Sequence, residues 1–275
     1  MAYPPLAGLA YWLVSQGRTE CGAAELARSA MYNRELGDAR ERIRASAQQL
    51  QRDGELQQWD VPGLGKFWIY GGLEKRNELA FGEQVANQYW HPSVHFQKGD
   101  IVLDVGADYG SVTSKALAAG AAKVIAIEIS PKKWQCLERT FAKEIAEGRV
   151  TLVRTGAWDR ESTLELTDDS VVLGRNGGKQ VVRVTTIDRM VAELQLPRVD
   201  FISMDIEGAE KPALRGAAET LRKYRPRMAI AAEHLPDDVV AIPQTVRGIQ
   251  PGYEVICGRC EAVDHHFLAQ VLWFR

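Results

Sequence analysis

The chain of 275 residues contains no long apolar run, little cysteine and no excess of charge of one sign. Without a run of about 18 apolar residues, no transmembrane helix is predicted and we expect no membrane partner. The four cysteines are scattered, which favours reduced thiols over a disulfide framework. The first residues lack a basic segment followed by an apolar one, so we expect no signal peptide and a cytoplasmic location. A net charge of −2 gives no electrostatic reason to expect nucleic acid as a partner.

One decapeptide, residues 101–110 (IVLDVGADYG), carries the strongest signal of function. It predicts a buried strand that runs directly into a glycine turn, and residues 111–119 predict the helix that follows. Nicotinamide-binding turns normally read Gly-x-Gly-x-x-Gly and present a helix N-terminus to a pyrophosphate. Here only Gly106 and Gly110 are present, and the carboxylates of Asp104 and Asp108 would repel a phosphate. They suit a ligand with a cationic amine, such as the methionine end of S-adenosylmethionine.

The tip of the next predicted strand, residues 123–127, carries a second acidic signal. Glu128 follows this strand, 24 positions after Asp104. An acid about 20 residues beyond a glycine turn, at the tip of strand two, commonly binds ribose hydroxyls. Glu128 together with Asp104 and its glycine turn therefore predicts a nucleoside-containing cofactor.

Residues 1–72 show a different pattern of predicted helices and strands from the rest and are predicted to be a separate, mostly helical module. Helices are predicted at 6–16, 23–32 and 40–52, followed by a hairpin of strands at 55–61 and 66–70, an arrangement that resembles a winged helix. Eight basic and eight acidic residues leave this segment without the positive surface that binds phosphate. We expect a dimerisation or lid module, and the apolar segment 6–14 favours a homodimer.

Residues 73–98 are predicted to be a linker with a helix at 79–89, and residues 99–275 the main domain. His91 and His95 have a spacing that could place both on one helix face, but no third zinc ligand is evident, so packing histidines are expected. In the main domain strands and helices alternate, which predicts a parallel sheet covered by helices on both faces. The predicted strands are 101–105, 123–127, 150–154, 200–204 and 227–232, and the helices are 111–119, 131–146, 184–194 and 208–223. Two final strands, 253–257 and 267–274, are predicted to form an antiparallel hairpin.

Acidic residues also follow the fourth predicted strand. Asp205, Glu207 and Glu210 would lie at the sheet edge where open α/β sheets bind ligands. Glu210 could simply favour the first turn of a helix, but Asp205 has no such structural reason. A later cluster, Cys257-x-x-Cys260 with His265 and His266, is expected in the loop between the final strands. Its spacing is not that of a standard zinc finger, so free thiols and loop histidines are favoured.

Four segments together resemble the FkbM family of S-adenosylmethionine-dependent methyltransferases. They are residues 102–110 (VLDVGADYG), 127–131 (IEISP), 185–188 (TTID) and 200–210 (DFISMDIEGAE), with Glu233 and His234 after the fifth strand. The resemblance implies an α/β, Rossmann-like class I methyltransferase sheet with a terminal antiparallel hairpin. Asp108 and Tyr109 depart from the family pattern, which usually has asparagine and a branched residue there, and this concerns details of the cofactor pocket.

The resemblance also implies a set of residues that bind S-adenosylmethionine. The glycine turn would contact the methionine moiety, Glu128 the ribose, residues 156–158 the adenine, and Asp205 the sulfonium and the acceptor. The full set is Asp104, Gly106, Ala107, Asp108, Gly110, Glu128, Ile129, Gly156, Ala157, Trp158 and Asp205.

Methyl transfer to a hydroxyl requires an aligned acceptor and removal of its proton. His234 is the preferred base because an unperturbed imidazole titrates near neutral pH, and Asp205 and Glu233 are the rivals. A divalent cation held by Asp205 is a further alternative.

The predicted function is O-methylation of a sugar or secondary metabolite, a small-molecule acceptor. Alternatives are N-methylation and a nucleic-acid-associated methyltransferase recruited by the N-terminal module. A nucleotide-cofactor oxidoreductase is disfavoured by Asp104 and by the terminal hairpin.

Overall fold

The computed structural model describes residues 23–166, 180–263 and 266–275, and it begins with one long helix followed by a three-stranded antiparallel sheet. The helix α1 spans Ala23–Ser46. The strands are β1 (Gln48–Asp53), β2 (Leu56–Val61) and β3 (Gly65–Tyr70), and helix α2 (Lys75–Val85) follows them.

This N-terminal arrangement differs from the predicted winged helix. The helices predicted at 23–32 and 40–52 are one helix, because residues 33–39 contain no proline and a single Gly37 costs only about 1 kcal/mol. Residues 48–53 form β1 rather than the end of a helix, since the chain reverses at Gly54 (φ 60°) and pairs Asp53 with Leu56. The three-helix interpretation is therefore wrong for the described residues, and the helix predicted at 6–16 lies outside them.

The predicted linker helix lies earlier in the chain than expected, at Lys75–Val85 instead of 79–89. It ends at Val85, and the chain then turns through Asn87, whose φ is 58°. His91 and His95 lie beyond the helix, where the Nδ1 of His95 is 3.1 Å from the carbonyl oxygen of His91. The two rings therefore do not share a helix face.

The centre of the molecule is a seven-stranded sheet whose strands match the predicted alternation. In this part of the chain the strands are β4 (Ile101–Val105), β5 (Lys123–Ile127), β6 (Val150–Val153), β7 (Gly156–Ala157), β8 (Ser162–Leu166), β9 (Gln180–Thr185), β10 (Phe201–Met204), β11 (Arg227–Ala231), β12 (Val255–Val263) and β13 (His266–Phe274). The helices are α3 (Ser111–Ala118), α4 (Pro131–Thr140), α5 (Ala142–Ala146), α6 (Ile187–Glu193), α7 (Glu210–Arg215), α8 (Ala218–Tyr224) and α9 (Asp238–Ile249). The order across the sheet is β12-β13-β11-β10-β4-β5-β6.

The pairing within this sheet confirms the predicted fold class. Strands β11, β10, β4, β5 and β6 are parallel neighbours, and β13 is antiparallel to both β11 and β12. Because the parallel strands share a direction, their carboxyl ends meet at one edge, where the predicted site residues emerge.

Two features of the fold were not predicted. Strands β7, β9 and β8 form a second small sheet, and β7 is too short to show a pattern. Helix α9 contains Pro243, which obscured its helical signal. Residues 184 and 185 end β9 instead of starting the helix predicted at 184–194, and the hydroxyl of Thr186 caps α6 by accepting from the Arg189 backbone amide.

The cysteines also differ from expectation. Cys257 and Cys260 lie within strand β12 and not in a loop. Cys260 is disulfide-bonded, whereas Cys136 and Cys257 are not in a disulfide. The fourth cysteine, Cys21, and His265 lie outside the described residues. The expectation of four reduced thiols is therefore wrong, and the cytoplasmic location loses that support.

The N-terminal elements share a hydrophobic core with the central sheet. Ile43 of α1 and Phe67 of β3 belong to the same buried cluster as Val102, Phe201 and Trp273 of the sheet. No described helix is long and apolar enough to cross a membrane.

Candidate active site

A cavity of about 710 Å³ opens at the carboxyl edge of the parallel strands. It is lined by the predicted residues Asp104, Gly106, Ala107, Asp108, Glu128, Ile129, Gly156, Ala157, Trp158, Asp205, Glu233 and His234. Of the predicted site residues, Gly110 does not line it. The fold therefore brings together side chains from five strand ends that are far apart in sequence.

Packing within the protein explains why the turn has glycine at positions 106 and 110. Gly106 has a φ of 88°, and a Cβ at this position would lie 1.9 Å from the carbonyl oxygen of Asp205. Gly110 precedes helix α3 with a φ of 90°, and its Cβ would lie 2.2 Å from the Phe141 ring. Both positions exclude a side chain because the strand ends and helices meet here, whatever ligand is bound.

Glu128 is fixed at the tip of β5 by the backbone. Its Oε2 accepts from the Asp108 amide at 2.8 Å, and its Oε1 accepts from the Ser130 amide at 2.7 Å. The side chain is buried, and this burial raises its pKa. Each carboxylate oxygen has a second lone pair, so Glu128 can accept from a pair of ligand hydroxyls without giving up these bonds.

Asp104 and Asp108 are also engaged by the protein. Asp104 is buried and accepts from the Thr113 hydroxyl at 2.5 Å, while burial raises its pKa to about 7. Asp108 forms a 2.6 Å ion pair with Lys133. Asp108 is therefore neutralised by a nearby cation, which the sequence did not reveal.

The wall after β6 is formed by residues 156–158 and by the small second sheet. A Cβ on Gly156 would lie 2.6 Å from the Cδ1 of Ile129, which explains the small residue there. The backbone amide of Trp158 donates to the carbonyl of Thr185 on β9 at 2.8 Å. Apolar residues of this wall include Ile129, Leu164 and Val184.

The opposite end of the cavity is centred on Asp205, which follows β10. Its Oδ2 accepts from the hydroxyl of Tyr89 at 2.7 Å, and its Oδ1 is 3.4 Å from the Nε2 of His234. The side chain is 40 % exposed to the cavity. Burial against the cavity wall raises the pKa of Asp205, although the charge of His234 and the hydrogen bond from Tyr89 oppose that effect.

His234 lies among three carboxylates. Its Nδ1 is 3.0 Å from the Oε1 of Glu210, and its Nε2 is 3.9 Å from the Oε2 of Glu207. Burial alone would lower its pKa, but the hydrogen bond to Glu210 and the charges of Asp205, Glu210 and Glu207 raise the pKa to about 10. His234 is therefore protonated at neutral pH, and the unperturbed pKa on which its role as a base was predicted is not found.

Among the cavity residues that the sequence analysis missed, two lie near Asp205. Glu83 of α2 and Tyr89 of the turn after it both line the cavity near Asp205. The turn is held by Arg259 of β12, whose Nη2 donates to the Asn87 carbonyl at 2.6 Å. The guanidinium of Arg259 also stacks 4.1 Å from the Tyr32 ring of α1. No spacing in the sequence links Tyr89 to Asp205, so only the fold could reveal the contact.

Comparison with known proteins agrees with this geometry. The family model described as the methyltransferase FkbM domain matches residues 104–272. A crystal structure of methyltransferase FkbM from Methylobacillus flagellatus KT matches with a TM-score of 0.53 and 18% identity, over 90% of this chain and 60% of that chain. This chain thus spans 60% of that protein's length, and the likeness shows a shared fold.

Two further solved structures are more distant. Precorrin-6y C5,15-methyltransferase from Geobacter metallireducens GS-15 matches with a TM-score of 0.39 and 16% identity, over 66% of this chain and 80% of that chain. Fibrillarin from Aeropyrum pernix, crystallised with natively bound S-adenosyl-L-methionine, matches with a TM-score of 0.44 and 11% identity, over 84% of this chain and 98% of that chain. No curated protein matches this chain.

Proposed function

The chain belongs to the methyltransferase FkbM family, and on that premise we propose that it is an S-adenosylmethionine-dependent methyltransferase that methylates a hydroxyl group of a sugar or secondary metabolite. The observation that carries the proposal is the single cavity that joins Glu128 and the glycine turn at one end to Asp205 and His234 at the other. One end can hold a methyl donor while the other holds an acceptor.

The residues at the first end fit S-adenosylmethionine, which when bound supplies a methyl group activated by its sulfonium. Glu128 has spare lone pairs for the ribose hydroxyls. The apolar wall at residues 156–158 suits the adenine ring, and the Asp104 side of the glycine turn suits the cationic amine of the methionine part. Asp108 is paired with Lys133, so we assign it to the ribose side and not to the amine.

The residues at the second end would position the acceptor. Tyr89 fixes one oxygen of Asp205, and the exposed part of this carboxylate faces the cavity. His234, as a cation, would orient the acceptor by donating a hydrogen bond from Nε2. Glu233 lines the same end and would add a further acceptor group. Precise alignment of a hydroxyl with the methyl group is itself a large source of rate acceleration.

A divalent cation is the alternative means of activating the hydroxyl. Asp205, Glu210 and His234 each place one ligand atom within 4.8 Å of the others. The proton on His234 competes with a metal ion for the same imidazole nitrogen. Turnover that persists in a strong chelator excludes the cation, and turnover that is lost and restored by magnesium or manganese supports it.

The proposed function is tested by binding and transfer. Calorimetry should show binding of S-adenosylmethionine and S-adenosylhomocysteine, and labelled methyl groups should then pass to members of a panel of sugar and phenol hydroxyls. A parallel panel of amines tests N-methylation. Absence of binding by either cofactor form contradicts the proposal.

The assembly is a separate proposal. We infer a homodimer from the apolar segment 6–14, which lies outside the described residues and would be costly to leave in water. Light scattering on the full chain at micromolar concentration should report a dimer, and a monomer contradicts it. The shared core of α1, β3 and the sheet supports treating residues 23–72 as part of the catalytic unit rather than as a removable module.

A further inference from the structure

Glu83 differs from every other carboxyl group discussed above in its lack of partners. It lies on α2, outside the segment that matches the family model, and its half-buried side chain lines the cavity near Tyr89 and Asp205. Within the described parts of the chain, no group forms a hydrogen bond or ion pair with its carboxyl. Its lone pairs are therefore available to a ligand.

The charges that face Glu83 come from four elements. Asp205 follows β10, Glu233 follows β11 and Asp108 lies in the turn after β4, while the positive charge of Arg40 on α1 opposes them. Burial and the negative charges of Asp205 and Glu233 raise the pKa of Glu83 to about 8, with Arg40 acting in the opposite direction. At pH 7 Glu83 is mostly a neutral acid.

The other candidates for proton acceptor are already engaged. Both oxygens of Asp205 have partners, Tyr89 and His234, and His234 already carries its proton. Burial together with the charges of Asp205 and Glu83 raises the pKa of Tyr89 far above its usual value, so Tyr89 acts only as a donor. Glu83 therefore offers acceptor capacity at this end of the cavity that no described residue uses.

We propose that Glu83 ionises when the methyl donor binds and then accepts the proton of the acceptor hydroxyl. This proposal rests on the proposed function. A positive charge brought into the cavity favours the ionised form of a nearby carboxyl group. The charge of the sulfonium would thus prepare the base only when a methyl group is present to be transferred.

The step balances in atoms and charge. The acceptor oxygen forms a bond to the methyl carbon, and the bond between this carbon and sulfur breaks with its electron pair remaining on sulfur. The hydroxyl proton passes to the Glu83 carboxylate, so the sulfonium and the carboxylate lose their charges together. S-adenosylhomocysteine is the product, and the proton leaves Glu83 to solvent afterwards.

Calorimetry on the full chain tests the first part without an acceptor. S-adenosylmethionine and S-adenosylhomocysteine are each titrated at pH 7 in two buffers that differ in ionisation enthalpy, which gives the number of protons released on binding. A fall of one to three units in the pKa of Glu83 corresponds to release of roughly 0.4–0.9 proton with the methyl donor. Glu83→Gln should lose this release and still bind both compounds. Glu35→Gln, an exposed site on α1, is the matched control.

Two further readouts separate this role from a structural one. The difference in proton release between the wild type and Glu83→Gln should vanish at pH 9.5, where Glu83 is already ionised. With an identified acceptor, Glu83→Gln should lower kcat about 10²–10⁴-fold with little change in the KM for the donor. Equal proton release by the wild type and Glu83→Gln, with binding intact, overturns this proposal and leaves the proposed function standing. If neither compound binds, it is the proposed function that fails.

Discussion

The two ends of the cavity are built in different ways. At the donor end, Glu128 is held by backbone amides of the strand tips and Asp104 by a hydroxyl on the next helix. At the acceptor end, the carboxylate of Asp205 contacts the side chains of Tyr89 and His234, and Tyr89 comes from the turn after α2. Glu83, from the same N-terminal region, has no partner among the described residues.

Under the proposed function, this difference matches what each end would recognise. Backbone amides lie where the fold places them, so the donor end is determined by the sheet itself and suits a cofactor that does not change. Side chains from added segments can vary without altering the sheet, so the acceptor end can differ among proteins of one fold. Each variant below tests whether the two ends are as separate as this comparison indicates.

The largest expected effect is at Gly106, where the two ends touch. Gly106→Ala places a Cβ 1.9 Å from the Asp205 carbonyl at a φ of 88°, so we expect a loss of about 3–5 kcal/mol in the free energy of unfolding. Urea denaturation measures it. Gly37→Ala on α1, where nothing lies within 4 Å, is the control and should not destabilise. A variant as stable as the wild type would show that the ends are not in rigid contact.

The second largest effect is expected for Asp205→Asn, which should change turnover at the acceptor end without changing binding at the donor end. Asp205→Asn should lower turnover about 10²–10³-fold, as expected for loss of a preorganised charge, while S-adenosylhomocysteine affinity stays within a few-fold of the wild type. Tyr89→Phe, which leaves Asp205 in place but removes its 2.7 Å hydrogen bond, should cost less. Steady-state kinetics and calorimetry measure the two quantities. A parallel loss of donor affinity would contradict the separation.

Glu128→Ala is the reciprocal test at the donor end. It removes a charge-assisted hydrogen bond to the ribose, so we expect S-adenosylhomocysteine to bind about tenfold more weakly or worse. Thermal melting checks that the turn survives the loss of the bonds to Asp108 and Ser130. Unchanged affinity with an intact fold would remove Glu128 from the donor site.

The smallest effect concerns His234 and pH. Its folded pKa of about 10 lies above the ordinary value of 6.5, so its stabilising contribution is complete below pH 6.5 and is lost as pH rises through 10. The stability difference between the wild type and His234→Gln should therefore shrink between pH 7 and 10.5, by on the order of 1 kcal/mol. Urea denaturation at several pH values measures it, with His95→Gln as the control. A difference that instead disappears near pH 6.5 would restore His234 as a neutral base.

The sequence predicted the donor end better than the acceptor end, and the reason is physical. Asp104, Gly106 and Glu128 lie at fixed offsets from apolar strands, so a pattern of strand, turn and acid reveals them. The partners of Asp108 and Asp205 are Lys133 and Tyr89, which reach them across the fold and have no characteristic spacing. The pKa of His234 could not be predicted either, because its contact with Glu210, at the start of α7, is made by the fold and not by spacing in the sequence.

The same reasoning explains the errors in the N-terminal region. Ile43, Ala47 and Leu50 have helical spacing, and that pattern suggested a helix through residue 52. Strand β1 forms because it pairs with β2 across the turn at Gly54, and all six of its residues are exposed, so no alternation of apolar residues marked it. Pairing of β1 with β2 therefore outweighed the helical spacing of the apolar residues.

The clamp formed by Tyr32, Asn87 and Arg259 has a consequence for protein engineering. It ties the first described helix and the last hairpin to the turn that carries Tyr89, so both elements support the contact between Tyr89 and Asp205. A chimera cut at residue 104, where the family match begins, would inherit a donor pocket from one parent and an unsupported Asp205. Under the proposed function, exchange of acceptor preference between relatives therefore requires transplanting residues 23–103 together with the terminal hairpin.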